Sequence, residues 1–201
     1  MKPVCVALKA HLGWVNAVVV EVGPKTPKPV YAQRVDLIDA EDREVREPYH
    51  VAGGWSGLER VPRPDDPVAV IRRGRRAQVR SAKSALATFR SLLEQAGFLW
   101  ARGVVLTGRG RPGDDLERIL ASHAHIHVAE GEAIRDATRS ALNALEIDSV
   151  NQDEKNILVE ARSALRGKDC DALMKGLRPP GTRSWAKEER LIALAAWLNR
   201  D

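Results

Sequence analysis

Residues 4–38 read VCVALKAHLGWVNAVVVEVGPKTPKPVYAQRVDLI. The opening run Val4-Cys5-Val6-Ala7-Leu8 is short, apolar and uninterrupted, the pattern of a buried strand. His11-Leu12-Gly13 follows as a turn, and residues 14–22 read as a second strand through Val18-Val19-Val20. Gly23-Pro24 ends it, because proline cannot donate to a ladder. Residues 30–38 make a third strand. Three strands joined by connections this short predict an antiparallel meander.

Beyond the meander the texture changes. Residues 39–74 carry Pro48, Gly53-Gly54, Pro62, Pro64 and Pro67, which predicts a long irregular insertion of the kind that forms a lid or a partner contact. A helix is expected over 75–96, where Val79, Ala82, Leu86, Phe89 and Leu93 recur at spacings of three and four. Gly97 is its natural stop. A short buried strand over 103–107 follows, then a brief helix capped by Asp114 or Asp115 and carrying Leu116, Ile119 and Leu120. Residues 125–128 read as a brief strand, 131–146 as a helix with Ile134, Ala137, Ala141 and Leu145 on its stripe, and 147–150 as a last strand. Helices are expected over 153–165 and 168–176. After the break at Pro179-Pro180-Gly181, Ser184 is placed to cap a final helix with Leu191, Leu194, Ala195 and Leu198 inward. The order predicts a single α/β domain spanning 1–201. Its mixed sheet joins a three-strand antiparallel meander to parallel strands and is flanked by helices.

Composition narrows the function classes. Aromatic residues are 4% of the chain, too few and too scattered for a base-stacking platform. The net charge of +5, with arginine dominant, suits either a polyanion partner or an arginine-decorated surface. Two cysteines, Cys5 and Cys170, give no disulfide framework or zinc knuckle, and Cys5 sits in an apolar strand as a small hydrophobe. No leader-like segment opens the chain and no apolar run approaches membrane-spanning length, so the cytoplasm is the expected compartment, with no membrane partner.

A meander, then alternating helices and strands, then a closing helix, resembles the RNase H-like superfamily, in the flavour of the RuvC-like Holliday-junction resolvases. The segments 132–145, 147–150 and 187–194 resemble that family's late helix, last strand and catalytic C-terminal helix. The stretch Ser122-His123 with Ala129-Glu130-Gly131-Glu132 is also similar to one found in bacterial proteins. The resemblance implies an Asp in the first strand that binds catalytic metal, but Lys9 stands there. It implies a Glu near the end of the strand after the first long helix, but Leu106-Thr107 runs into Gly108-Arg109. Only Glu188 and Glu189 could stand in for the carboxylates of the last helix. Two-metal hydrolysis needs several acids converging on ions roughly 3.5–4 Å apart. A nuclease reading would call for Mg²⁺ or Mn²⁺, yet that acid set is not apparent. A homodimer is a further expectation of the resemblance, without a sequence signal for the interface.

Several residues could carry chemistry instead. His123, His125 and His127 alternate, and on a strand would share a face fit for a transition metal, with Glu130 or Glu132 assisting. Without metal, His11, His123 or His127 could form an acid–base cluster with Glu132. Alternatively Glu132 pairs with Arg135, and Asp136 with Arg139, on a solvated helix face. Arg72, Arg73, Arg75 and Arg76, then Arg80 and Lys83, form the densest basic run. Placed at a helix entrance they would oppose the helix dipole, an inconsistency that marks a binding surface. Arg109 and Arg111 lie in the loop Gly108-Arg109-Gly110-Arg111-Pro112-Gly113, a phosphate-friendly turn between strand and helix, although Asp114 and Asp115 would compete with an anion there. These residues, with the resemblance, point to a nucleic-acid-associated RuvC-like protein, with DNA favoured over RNA as partner, that could be a divergent structure-selective nuclease lacking the usual metal-binding acids. The alternatives are a non-catalytic binding or assembly module of the same fold and an enzyme of small phosphorylated substrates.

Overall fold

The computed structural model describes residues 1–39, 41–108, 110, 113, 115–165, 170–182 and 185–200. The meander forms as expected. β1 (Lys2–His11), β2 (Trp14–Glu21) and β3 (Pro29–Asp36) pair antiparallel, with Lys9 opposite Asn16 and His11 opposite Trp14. Gly13 makes the first turn possible, since its φ of +82° is costly for any residue with a Cβ.

The insertion is more ordered than its prolines and glycines suggest. It holds two short helices, α1 (Arg43–Arg46) and α2 (Pro48–Ala52), and a small hairpin of β4 (Trp55–Ser56) and β5 (Glu59–Arg60). The long helix α3 (Pro67–Gln95) begins at Pro67 rather than at residue 75. Asp66 caps it by accepting from the Ala69 N–H at 2.8 Å, and Pro67 suits the first turn because its missing N–H would be unpaired there.

β6 (Phe98–Thr107) then pairs parallel to β1. A short helix α4 (Leu116–Ala121) leads into α5 (His123–Ala144). The brief strand expected over 125–128 is therefore absent, because those residues lie inside α5. Ser122 starts that helix by accepting from the His125 N–H, and Ile126, Ala129, Ala133, Ile134 and Ala137 are buried at helical spacing. β7 (Ser149–Asp153) pairs parallel to β6 and is followed by α6 (Ile157–Leu165), α7 (Cys170–Gly176) and α8 (Lys187–Leu198). Ser184 lies outside the described residues. Ala186 holds the cap position of α8 without a side-chain bond.

The five main strands take the order β3-β2-β1-β6-β7. An antiparallel meander thus continues into parallel crossover strands, the mixed sheet flanked by helices that the element order predicts. Each strand alternates between two covered faces. Val4, Val6 and Leu8 meet Leu86, Phe89, Leu93, Ile134 and Leu142 of α3 and α5. Cys5, Ala7, Val104 and Leu106 meet Ile157 of α6 and Ile192 and Trp197 of α8. Burying each large side chain here contributes about 1.5–3 kcal/mol, offset by ordering entropy. Trp197 is buried, and its indole N–H donates to the Pro24 carbonyl at 3.1 Å. Cys5 is fully buried, which pushes its thiol up to about 12 and leaves it inert. A third, smaller cluster of Ala52, Val70, Ile71, Ile119, Leu120, Ile126 and Ala129 fixes the insertion against α3, α4 and α5. No described helix is long and apolar enough to cross a membrane.

Candidate functional site

β1, β6 and β7 are parallel, so their carboxyl ends open at one edge of the sheet. That is where ligands bind in open α/β sheets. Lys9 lies near the end of β1. Its ammonium is 3.0 Å from Glu154 Oε2, just past β7, and 3.1 Å from Glu188 Oε2 in the first turn of α8. His11 Nε2 lies 3.0 Å from Glu188 Oε1, and Asn16 Nδ2 donates to the same oxygen at 3.4 Å. The His11 ring stacks on Trp14 at 3.9 Å. Burial alone would raise the Glu188 carboxyl, but donation from Lys9, the charges of Lys9 and His11, and Asn16 together hold it below the usual range. Burial would lower the Lys9 ammonium, yet bonds and charges from Glu154 and Glu188 raise it above its ordinary value.

This arrangement does not fit a pair of Mg²⁺ or Mn²⁺ ions. The strand-end carboxylates converge on an ammonium that belongs to the chain itself, and β6 ends in Thr107 rather than an acid. His11 is thus a partner of Glu188 and is not brought together with His123, His127 and Glu132.

Glu132 also leaves the expected cluster. It accepts from Arg135 at 2.9 Å and Arg139 at 2.5 Å, while Arg139 also reaches Asp136 at 2.5 Å. Burial would raise its carboxyl, but Arg139 and Arg135 pull it below the usual range. The helix-face ion pairs form, and the Glu132 acid–base reading fails because both carboxylate oxygens face guanidinium groups. A cleft of about 570 Å³ beside it is lined by Thr107, Gly108, Gly110, Glu132, Arg139, Asn151 and Asp153. Arg109 and Arg111, expected in the loop at its rim, lie outside the described residues.

A second constellation forms where α2 meets the start of α5. His123 and His127 are four residues apart on one helix face, and His50 of α2 completes a triad. One ring nitrogen from each lies within 4.8 Å of the other two. The rings meet edge to face, with centroids 5.3 Å (His50–His123), 4.8 Å (His50–His127) and 4.5 Å (His123–His127) apart. Trp55 covers His123 at 4.8 Å, and the Arg60 guanidinium lies over that indole. His125 points elsewhere, with Nδ1 3.4 Å from the Arg118 carbonyl. The strand reading had put His125 in the set. A helix instead separates it from its neighbours by about 200°.

Beneath the triad sits Glu130, only 1% exposed. Its Oε1 accepts from the Tyr49 N–H at 2.7 Å and the His50 N–H at 3.0 Å, and lies 3.3 Å from His50 Nδ1. A carboxylate from α5 thereby caps the start of α2, which has no side-chain cap of its own. Glu130 Oε2 is buried with no partner among the described residues. Burial pushes the Glu130 carboxyl up, against the opposing pull of His50 and the two backbone N–H groups. Burial, then the neighbouring His50 and His123 charges, push the His127 imidazole down. Sequence reasoning missed His50. The one available signal was that, of five histidines, it alone had no proposed role.

The basic run divides into paired and unpaired residues. Because α3 starts at Pro67, the run lies inside the helix and not at its entrance, so the expected conflict with the helix dipole does not arise. Arg73 pairs with Glu44 at 3.0 Å and Arg75 with Asp136 at 2.6 Å. Arg72, Arg76, Arg80 and Lys83 are exposed and make no ion pair among the described residues. At about 100° per residue they fall within an arc of about 80°, along about 16 Å of helix.

No family model matches the chain, and no curated protein matches it. It is similar to solved RuvC structures. Two of them are the RuvC of Thermus thermophilus and the same protein in complex with a Holliday junction substrate. Each is 12% identical, with a TM-score of 0.43, over 97% of this chain and 92% of that one. At that distance no residue role passes from those proteins to this chain.

Proposed function

We propose that this protein binds nucleic acid, DNA in preference to RNA, as an RNase H-like module that does not hydrolyse it by two-metal chemistry. The observation that carries the reading is the stripe of Arg72, Arg76, Arg80 and Lys83. Four exposed cations without an acidic partner among the described residues line one face of a rigid helix. Like charges held in a row repel one another, and a phosphate backbone relieves that repulsion while releasing its own condensed counterions. Phosphate contacts of this kind position a protein without reading sequence. The ammonium of Lys9 between Glu154 and Glu188 supports the second half of the reading, because it takes the place where a divalent ion would have to sit. The small-substrate alternative has less support. Arg139, the one described cation lining the cleft, is engaged by Glu132, Asp136 and Asn151.

The test is binding of labelled duplex, branched and single-stranded DNA and RNA at low and high salt, with and without Mg²⁺ or Mn²⁺. The expected result is salt-sensitive binding with every substrate intact. No binding at low salt removes nucleic acid as the partner. Metal-stimulated cleavage that Glu188→Gln abolishes overturns the non-hydrolytic reading.

A further inference from the structure

We propose that His50, His123 and His127 form a binding site for a divalent transition metal of the zinc class, with one coordination position left to solvent. Nothing in the nucleic-acid reading requires this site, and it stands on separate residues.

Three features carry it. First, the ligand count and type are right. Three imidazoles favour Zn²⁺ and its first-row neighbours over Mg²⁺ or Ca²⁺, which take oxygen ligands. Among the described residues, this is the group whose donor atoms come together closely enough. Second, two ligands come from an i, i+4 pair on α5, and the third from a helix anchored to that same α5 by Glu130, so folding brings all three together. Third, the outer partner is in place. Glu130 Oε1 already accepts two backbone N–H groups, so it meets His50 Nδ1 as an acceptor and Nδ1 must carry the proton. In the neutral imidazole Nε2 of His50 is then the nitrogen without a proton, the one a metal would take. A carboxylate orienting a histidine through its other ring nitrogen is the usual support of metal-bound imidazole.

Zinc–nitrogen bonds of about 2.0–2.1 Å in a tetrahedron place the nitrogens about 3.4 Å from one another. Reaching that separation from within 4.8 Å takes rotation of the His123 and His127 rings, on the open side of the cluster. His50, 3% exposed, stays fixed. Three protein ligands with a solvent-facing fourth position is the arrangement that leaves room for an exchangeable water.

The experiment titrates the full chain with Co²⁺, read by its visible absorption bands, and with Zn²⁺, read by calorimetry. One equivalent of each metal should bind. His123→Ala and His127→Ala, both on the open side, should each weaken binding at least about tenfold, and Glu130→Gln about 10–100-fold as an orienting partner. His125→Ala, the adjacent exposed histidine, should leave affinity unchanged. Circular dichroism separates loss of ligand from loss of fold, and the His123→Ala/His127→Ala double variant keeps the test independent of the buried positions. Equal affinity in that double variant and the unaltered protein, or no saturable binding of either metal, overturns the proposal.

Discussion

The four cations of α3 that make no ion pair among the described residues set a salt dependence that can be worked out in advance. Each phosphate neutralised on duplex DNA contributes about −0.9 to the slope of log K against log salt. Arg72, Arg76, Arg80 and Lys83 together give about −3.6, so raising salt from about 50 to about 200 mM should weaken binding about 150-fold. Replacing Arg76 and Arg80 by Ala leaves two contacts, a slope of about −1.8 and a loss of only about 12-fold over the same range. Arg73 provides the control, because Glu44 already neutralises it at 3.0 Å. Arg73→Ala should change the slope by much less than one contact. The assay is fluorescence anisotropy of a labelled duplex across four salt concentrations. A slope shallower than about −1 in the unaltered protein would refute the counting, as would an Arg73→Ala effect equal to that of Arg76→Ala.

Lys9→Asp should turn the strand-end cluster into three converging acids, so that millimolar Mg²⁺, which imidazoles bind poorly, raises the variant's melting temperature while leaving the unaltered protein's unchanged. No shift in the variant would show that the cluster cannot accept a cation even when the ammonium is removed. Lys9→Met should cost about 1 kcal/mol or less, because the pairs are partly exposed, and lower Tm by about 2–4 °C. The pH dependence has a defined sign. Glu188 is held low, so its contribution is full above about pH 4.3 and fades as pH falls through its lower folded value. Lys9 is held high, so its contribution is full below about pH 10.4 and fades as pH rises through its higher folded value. Urea melts should therefore show a Lys9→Met deficit that is constant near neutrality and disappears in strong acid. Gly54→Ala should cost about 2 kcal/mol or more, since its φ is +68° and a Cβ would lie 2.4 Å from the Val61 carbonyl oxygen. Gly74→Ala adds a Cβ 2.6 Å from Pro48 and 2.7 Å from the Glu44 carbonyl oxygen. It should destabilise by about 1–3 kcal/mol despite the better helix propensity of alanine.

The sheet was legible because its signals are local. Apolar runs at 4–8 and 14–22, broken by Gly13 and Gly23-Pro24, need no distant partner to be read as strands. The insertion was not, because its helices are held by groups far away in sequence. α2 is capped by Glu130, 80 or more residues on, and Gly53 lies so close to α5 that a Cβ would meet Ile126 at 2.8 Å. The histidines were misread for a different reason. His-Ala-His-Ile-His-Val alternates like a strand over six residues, and only the longer spacing from Ile126 through Ala129, Ala133 and Ile134 shows the helical period. With the wrong period His125 joined the set, and His123 and His127, which share a helix face, had no third histidine in view. The identity of the acids that would answer Arg73 and Arg75 was equally hidden, since Glu44 and Asp136 are 29 and 61 residues away.

The two centres stand in a physical relation to one another. At the strand ends, an ammonium on β1 joins Glu154 and Glu188 and so stitches β1 to the end of β7 and to α8, a structural use of a position where ligands ordinarily bind. In the insertion the opposite trade is made. Glu130 is buried with one oxygen unpartnered among the described residues, and of the imidazoles above it His123 is half-buried and His127 exposed. Burying a carboxyl in that state costs stability unless something offsets it. Capping α2 offsets part of the cost, but Asp or Ser at position 47 would cap the same helix locally without burying an acid. Orienting His50 is a service that a local cap at position 47 would not provide. A cation drawn to the triad would in turn stabilise the ionised form of Glu130, so that folding of the insertion and occupancy of the triad favour each other.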